Sequence, residues 1–180
     1  MLASSPGFFR KFIRDPQGTG ALAPATRSLA NSVAATAIDA FVRHGCGGHL
    51  QVLELGAGTG ALTHGISPLK PILVEKDEAW AALLRLRFPA LEVRRECAVG
   101  SVRALSESTG VVTSIPLLNN PQSAALKAAL QAKYAEGLLK FCVLYTYGWS
   151  DPLAGAGFRE ARRAAFVPRS LPPAHVWIYQ

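Results

Sequence analysis

The chain has 180 residues, of which 49% are hydrophobic and 17% are charged, and its formal net charge is +7. This length supports one globular domain, and the composition excludes a disordered polyelectrolyte. The excess of positive charge favours anionic partners, namely nucleic acid, acidic lipid headgroups or a phosphorylated substrate. Cys46, Cys97 and Cys142 have neither disulfide nor zinc spacing. We therefore expect a protein of a reducing, cytoplasmic compartment that has no metal site.

The first predicted element is a short amphipathic helix over residues 8–14, limited by Pro16. Its side chains separate onto an apolar and a basic face: Phe8, Phe9, Phe12 and Ile13 on one, and Arg10, Lys11 and Arg14 on the other. Such a helix can lie in the interface of an anionic bilayer. We predict that residues 1–24 bind a membrane or act as a lid, and that residues 25–180 form the main domain. A helix packed on that domain is the alternative.

These cations also interrupt the only apolar stretch near the N-terminus, so we do not expect a signal peptide. Further along, no apolar run reaches the ~18 residues of a membrane span. Membrane binding is therefore expected to be peripheral.

The rest of the chain alternates between helices and short apolar strands. In chain order the pattern predicts a helix over 27–43, strand 51–55, helix 61–66, strand 72–75, helix 77–88, strands 91–95 and 111–115, a helix that begins at Asn120 and Pro121, and strands 140–147 and 176–179. This alternation predicts an α/β fold with a mostly parallel sheet covered on both faces. Ligands of such folds bind beyond the carboxyl ends of the strands.

The most informative segment is glycine-rich and follows the first predicted strand: Val52-Leu53-Glu54-Leu55-Gly56-Ala57-Gly58-Thr59-Gly60. Glycines allow a sharp turn from strand to helix and let a ligand approach the main chain closely. Glu75 ends the next strand, nineteen residues after Gly56, where a carboxylate can accept hydrogen bonds from ribose hydroxyls. Together these features predict a nucleoside-bearing cofactor across the first two strand ends.

The nature of that cofactor depends on Glu54. The loop also satisfies Gly-x-Gly-x-x-Ala, so a dinucleotide is one alternative, and a tight turn without a ligand is another. The chain is short for a dinucleotide fold with a substrate domain, and Glu54 would repel a pyrophosphate but attract a cation. S-adenosylmethionine carries a sulfonium and an ammonium and has no phosphate. We therefore predict S-adenosylmethionine as the cofactor.

Residues 54–60 together with Val74-Glu75 resemble the first two motifs of class I S-adenosylmethionine-dependent methyltransferases. Four further segments resemble the bacterial phospholipid N-methyltransferases, which methylate phosphatidylethanolamine stepwise to phosphatidylcholine and are related to rRNA adenine dimethylases. These segments are GALAPATR at 20–27, TSIPLL at 113–118, YTYG at 145–148 and RSLPPAHVW at 169–177, and FFRKFIR at 8–14 also fits. The resemblance spans nearly the whole chain. It implies a Rossmann-like methyltransferase fold with a seven-stranded sheet, and S-adenosyl-L-homocysteine as a product.

The resemblance also implies which residues hold the cofactor. They belong to the glycine loop and to the ends of the second, third and fourth strands: Glu54, Gly56, Ala57, Gly58, Gly60, Glu75, Lys76, Cys97 and Ser114. Cys97 stands where related enzymes commonly have an acid that holds the adenine amino group, and the preceding Glu96 is an alternative for that role.

Ser114, Pro116 and Tyr147 are the implied catalytic residues. Ser114-Ile115-Pro116-Leu117 stands where adenine methyltransferases place Asn/Asp-Pro-Pro-Tyr/Phe, so the Ser114 hydroxyl and nearby carbonyls would orient the amine. Pro116 would fix the loop, unless it is an ordinary strand-ending proline. Leu117 replaces the aromatic ring that would stack on a flipped base, which weighs against a nucleobase substrate.

The implied substrate-binding residues are Thr26, Arg27, Leu117, Tyr147, Trp149 and Arg169. Tyr147 and Trp149 could attract a methylated ammonium by cation–π interaction, with packing as the alternative. Arg27 and Arg169 could bind a lipid phosphate through bidentate hydrogen bonds, unless they are simply solvated.

The sequence therefore predicts a monomeric enzyme on the cytoplasmic face of a membrane. Its expected partners are anionic lipids and its substrate, phosphatidylethanolamine, and no nucleic acid is expected. Three alternatives stay open. They are an rRNA adenine N-methyltransferase, which the net charge would also suit, an ornithine-lipid N-methyltransferase, and a non-catalytic cofactor or lipid binder.

Overall fold

The computed structural model describes residues 25–45, 47–117, 123–170 and 172–180. The predicted membrane-binding helix over residues 8–14 and the predicted helix start at Asn120 and Pro121 lie outside the described residues.

Helices and strands alternate along most of the described chain. The helices are α1 (Arg27–Gly45), α2 (Thr63–Ile66), α3 (Glu78–Arg87), α4 (Ala98–Arg103) and α5 (Ser123–Ala135). The strands are β1 (Gln51–Leu55), β2 (Ile72–Val74), β3 (Val93–Arg94), β4 (Thr109–Thr113), β5 (Leu139–Thr146), β6 (Ala161–Val167) and β7 (Ala174–Tyr179). A short 3₁₀ turn over Ser67–Leu69 links α2 to β2. None of these helices is long and apolar enough to cross a bilayer.

The strands form one sheet in the order β3-β2-β1-β4-β5-β7-β6. Strands β1 to β5 are parallel, and β7 runs antiparallel between β5 and β6. The predicted mostly parallel, seven-stranded sheet is therefore confirmed. The strand order reverses between β1 and β4, and it is beside such a switch point that open α/β sheets bind their ligands.

Each face of the sheet carries its own hydrophobic core. On one face, α1 packs with Leu29, Val33 and Ala37 against a cluster that includes Val143 and Ile178. On the other face, Leu126 and Leu130 of α5 belong to a cluster with residues of β1, β2, β5 and β7 and with Val111 of β4. β4 is buried along its whole length, as expected for a central strand of a parallel sheet that is covered on both faces.

Helix α1 runs along the parallel strands, from their carboxyl ends to their amino ends. Thr26 begins it, since its hydroxyl oxygen accepts the Leu29 N–H at 3.3 Å. At the other end His44 lies 3.1 Å from Gln180, the residue that follows β7. Because β7 is antiparallel to β5, Gln180 marks the amino ends of the parallel strands. Thr26 and Arg27 therefore lie toward the carboxyl ends.

Two elements were not predicted. Helix α4 and strand β6 both fall in stretches where the sequence shows no clear period. Strand β6 is an edge strand, paired only with β7, and its register shifts between Arg163 and Ala165. Such a shift breaks the alternation of buried and exposed residues by which a strand is recognised in sequence.

Candidate active site at the carboxyl edge of the sheet

Most of the predicted cofactor- and substrate-site residues lie at one edge of the sheet. The loops after β1, β2, β3, β4 and β5 all leave the carboxyl ends of parallel strands, so they meet at this edge. The turn from β6 to β7, which contains Arg169, reaches the same edge because β7 begins there. We call this region the carboxyl edge.

The glycine loop turns sharply immediately after β1. Its first amide, that of Gly56, donates to the Val74 carbonyl at 2.8 Å and so ties the loop to β2. Gly58 has φ +53°, a left-handed conformation that favours glycine, and a Cβ there would meet only the Gly56 carbonyl oxygen, at 3.9 Å. The half-buried main chain at Gly58 therefore has room beside it for a ligand.

Glu75 is fixed beside this loop by two backbone donors. The Gly58 N–H donates to one carboxylate oxygen and the Asp77 N–H to the other, each at 2.9 Å. Glu75 is 8% exposed, and each oxygen keeps lone pairs that can accept further hydrogen bonds. The carboxylate is thus preorganised where a pair of ribose hydroxyls would be bound, which fits the predicted nucleoside-bearing cofactor. Lys76 is exposed beside it.

Glu54 has a different environment. It is 1% exposed, lies below the glycine loop, and accepts a hydrogen bond from the Thr63 hydroxyl at 2.7 Å. Burial raises the pKa of Glu54 to about 8, although the Thr63 hydrogen bond opposes this. Glu54 therefore does not present a free carboxylate at the surface. Its contact with a cationic ligand stays a prediction.

The segment after β3 brings Glu96 and Cys97 to the carboxyl edge. Cys97 is exposed and occupies the N-cap position of α4, where its side chain makes no capping hydrogen bond. Glu96 accepts a hydrogen bond from Ser101 of the same helix at 2.8 Å. Both residues therefore border the region where the adenine is predicted.

The segment after β4 contacts the glycine loop directly. The Ser114 hydroxyl donates to the Gly56 carbonyl at 2.8 Å. The buried Thr113 hydroxyl donates to the Leu55 carbonyl and accepts the Ile115 N–H, both at 3.1 Å. These contacts bring the predicted catalytic segment against the predicted cofactor loop. Ser114 keeps its oxygen lone pairs free to accept, because its proton is used toward Gly56.

The other residues at the ends of β4 and β5 differ in their exposure to solvent. Pro116 is half-buried, whereas Leu117 is buried in the core on the face of α5 and does not reach the open edge. Tyr145 is buried in the core on the face of α1. Tyr147 is half-buried with its ring 5.6 Å from that of Tyr145, and burial raises the pKa of its hydroxyl.

The outer part of the site is basic and aromatic. Arg27, Arg169 and Trp149 are exposed, and Thr26 is engaged as the N-cap of α1. All of them lie toward the carboxyl edge, but the phosphate and ammonium contacts predicted for them stay predictions.

Several residues of this region were missed by the sequence analysis. Thr63 and Thr113 are buried donors that hold Glu54 and the β1 main chain. Arg163, Phe166 and His175 surround Trp149. The threonines carry no sequence signal beyond their type, while Arg163 and Phe166 belong to the unpredicted strand β6.

No family model and no curated protein matches the chain, but solved structures do. A SAM-dependent methyltransferase from Archaeoglobus fulgidus is 14% identical with a TM-score of 0.62, and the match covers 96% of this chain and 98% of that one. Magnesium protoporphyrin IX methyltransferase (ChlM) from Synechocystis PCC 6803, with bound SAM, is 15% identical with a TM-score of 0.63, and the match covers 98% and 91%. The 23S rRNA methyltransferase ErmE is 18% identical with a TM-score of 0.61, and the match covers 86% and 68%. The chain thus has the Rossmann-like fold of class I methyltransferases that its sequence predicted.

Proposed function

We propose that this protein is an S-adenosylmethionine-dependent methyltransferase that methylates the headgroup amine of a phospholipid, converting phosphatidylethanolamine towards phosphatidylcholine at a membrane surface. The observation that carries the cofactor is the Glu75 carboxylate, held by the Gly58 and Asp77 amides at the switch point of the sheet. The observation that favours an amine lipid is the segment after β4, which has a serine and a buried leucine where a nucleobase site needs an amide and an aromatic ring.

The cofactor would supply an electrophilic methyl group on a sulfonium. The chain's own contribution is mainly positioning, since transfer needs the acceptor nitrogen in line with that methyl. Glu75 would hold the ribose, the open main chain at Gly58 would admit the ligand, and Glu96 or Cys97 would border the adenine. Ser114 would orient the amine, because its hydroxyl oxygen can accept an N–H while its own O–H donates to the Gly56 carbonyl.

The headgroup amine is protonated at neutral pH and must lose that proton to water before its nitrogen lone pair can attack the methyl group. Tyr147 would then lie beside a group that gains a permanent positive charge, which its ring face can attract. Arg27 and Arg169 would bind the phosphate of the same lipid. In this proposal the protein works as a monomer on the cytoplasmic face of a membrane, where residues 8–14 contribute to binding.

The competing function is methylation of adenine in RNA. It is favoured by the fold similarity to the 23S rRNA methyltransferase ErmE and by the net charge of +7. Leu117 argues against it, because a flipped base would lose its stacking partner. An ornithine lipid is a second competing substrate, since its amine would use the same groups.

The decisive experiment measures transfer of labelled methyl groups from S-adenosylmethionine. Vesicles of phosphatidylethanolamine and phosphatidylglycerol are offered in one reaction, and unmodified ribosomal RNA in another. We expect label in the lipid fraction, and loss of that label with Glu75→Gln but not with Glu78→Gln, an exposed acid at the start of α3. Label in RNA alone would overturn the lipid proposal, and label in neither, with ornithine lipid accepted instead, would change the headgroup.

A cofactor titration tests the first half of the proposal separately. Charged hydrogen bonds of this kind contribute about 1.5–3 kcal/mol, so Glu75→Gln should weaken S-adenosylmethionine binding by roughly ten- to a hundredfold. Calorimetry would measure this, with Glu78→Gln as the matched control. Unchanged affinity in Glu75→Gln would exclude the predicted ribose contact.

A further inference from the structure

An exposed aromatic cluster lies on the outer part of the sheet, around the last strands. Trp149 is 73% exposed and Phe166 is 53% exposed, whereas His175 between them is only 4% exposed. With Arg163 these side chains line an open hollow of about 360 Å³. We call these four residues the aromatic–arginine patch. Large exposed aromatic side chains next to each other are unusual on a soluble surface and mark interaction sites.

The side chains of the patch are held by contacts with one another. The ring centres of Trp149 and His175 are 4.5 Å apart, and those of Phe166 and His175 are 4.8 Å apart. The Arg163 guanidinium lies over the Trp149 ring at 5.4 Å and over the buried Trp177 ring at 5.9 Å. The patch is thus ordered by stacking, so exposing it requires no rearrangement.

The patch is also positively charged. No carboxylate among the described residues forms an ion pair with Arg163. Burial and the nearby Arg163 guanidinium hold the pKa of His175 below its ordinary value, and the Arg163 guanidinium is the permanent cation of the patch. A partner of this surface must therefore be apolar and anionic together.

Strand pairing brings the patch to the carboxyl edge. His175 pairs with Thr146, the last residue of β5, and with Phe166 near the end of β6. Trp149 follows β5 by three residues. The patch therefore borders the same edge as the glycine loop and Ser114, at the side of the sheet formed by β6 and β7.

We propose that the aromatic–arginine patch is an interfacial docking surface for an anionic bilayer, with Trp149 and Phe166 among the headgroups and Arg163 on a lipid phosphate. This inference rests on the proposed function, which needs the carboxyl edge to face a membrane. Tryptophan is the side chain that prefers the membrane–water interface, because its ring is amphipathic. Cations add to such binding when the lipid is anionic.

The same residue types also occur in single-stranded RNA sites, but the geometry favours a bilayer. Base stacking needs an open aromatic face. In the patch, Phe166 stacks on His175 and Trp149 lies under the Arg163 guanidinium, so ring faces are already engaged. Insertion into an interface uses ring edges and exposed apolar area instead, which these rings still offer.

The test uses the fluorescence of Trp149, obtained as the difference between the protein and its Trp149→Phe variant. Added vesicles of phosphatidylethanolamine and phosphatidylglycerol should shift this emission to the blue, and brominated acyl chains should quench it. The double variant Arg163→Gln/Phe166→Ala should bind the vesicles about tenfold more weakly. Leu86→Ala is the matched control, since Leu86 is 81% exposed on α3, far along the sheet.

Two results would overturn the inference. One is a Trp149 emission that does not change when vesicles are added, whether or not the protein sediments with them. The other is emission that responds to a single-stranded RNA oligonucleotide and not to vesicles. Methyl transfer to phosphatidylethanolamine in neutral detergent micelles reports the chemistry without a bilayer, so a failed docking surface and a failed substrate assignment give different results.

Discussion

Two glutamates near the glycine loop have opposite environments, although both end neighbouring strands. Glu75 accepts two backbone N–H donors, one on each carboxylate oxygen, beside the glycine loop. Glu54 is buried with one hydroxyl donor, and burial raises its pKa to about 8. The first residue keeps lone pairs that can accept further hydrogen bonds, which suits the proposed ribose contact. The second acts on the stability of the loop above it, and its charge depends on pH.

Replacing Glu54 by glutamine should remove a pH dependence of stability. The pKa of Glu54 is about 8 in the folded protein and about 4.5 in the unfolded chain, so the folded state holds the extra proton between these values. Stability from this group is therefore full below pH 4.5 and declines as pH rises toward 8. Glu54→Gln should gain stability relative to the natural protein across this interval, as measured by urea unfolding at several pH values.

Thr63→Val provides the matched comparison for that experiment. It keeps the Glu54 carboxyl but removes its buried hydroxyl donor, which should cost about 1–3 kcal/mol. The pH dependence should persist in Thr63→Val and be absent from Glu54→Gln. Equal pH profiles in all three proteins would mean that Glu54 is already ionised in the fold.

The contrast between these residues also marks what sequence could predict. Glu75 was identified because the end of a strand, nineteen residues after a glycine turn, is a position that topology fixes. The Thr63–Glu54 contact joins residues nine apart, which is neither a helical nor a strand repeat. It forms only when the loop folds back under itself, and a linear pattern does not encode that step.

At the scale of elements, the pairing of β4 with β5 leaves no room for a side chain at one position of β4. Gly110 pairs with Phe141, and a Cβ at Gly110 would stand 2.1 Å from the Phe141 ring. Gly110→Ala should therefore destabilise the protein by about 1–3 kcal/mol through overpacking. A Cβ at Gly100, an exposed position of α4, would meet nothing within 4 Å, so Gly100→Ala should be neutral or stabilising by about 0.5–1 kcal/mol. Urea unfolding of both variants measures the difference, and similar values for the two would contradict this packing argument.

Central and edge strands differed in how well they could be predicted. β1 has the predicted bounds, because a strand buried on both faces is a short apolar run between breakers. β6 was missed because its alanines and arginines are weak strand formers and its register shift interrupts the pattern. Missing β6 also hid the aromatic–arginine patch, of which only Trp149 was singled out. A binding surface made by pairing distant strands is visible only once the pairing is known.

Across the whole molecule, positive charge and exposed aromatic rings are the features that bear on membrane binding. The patch lies at the carboxyl edge, and residues 8–14, outside the described part, add four apolar and three basic side chains in sequence. If both contact one bilayer, each raises the effective concentration of the other, so neither needs high affinity alone. Binding would then be reversible and would weaken as zwitterionic product replaces anionic lipid.

Reversing the charge of residues 8–14 tests this arrangement. Each cation near anionic lipid contributes about 1 kcal/mol, so Arg10→Glu/Lys11→Glu/Arg14→Glu should lose at least roughly a hundredfold in vesicle affinity. Sedimentation with phosphatidylglycerol vesicles would be abolished, while S-adenosylmethionine affinity measured by calorimetry would stay unchanged. The matched control, Lys70→Glu/Arg85→Glu/Arg103→Glu, changes the net charge equally at exposed positions elsewhere. Equal losses in both triple variants would attribute binding to overall charge, and unchanged sedimentation of the first would exclude residues 8–14 as a membrane contact.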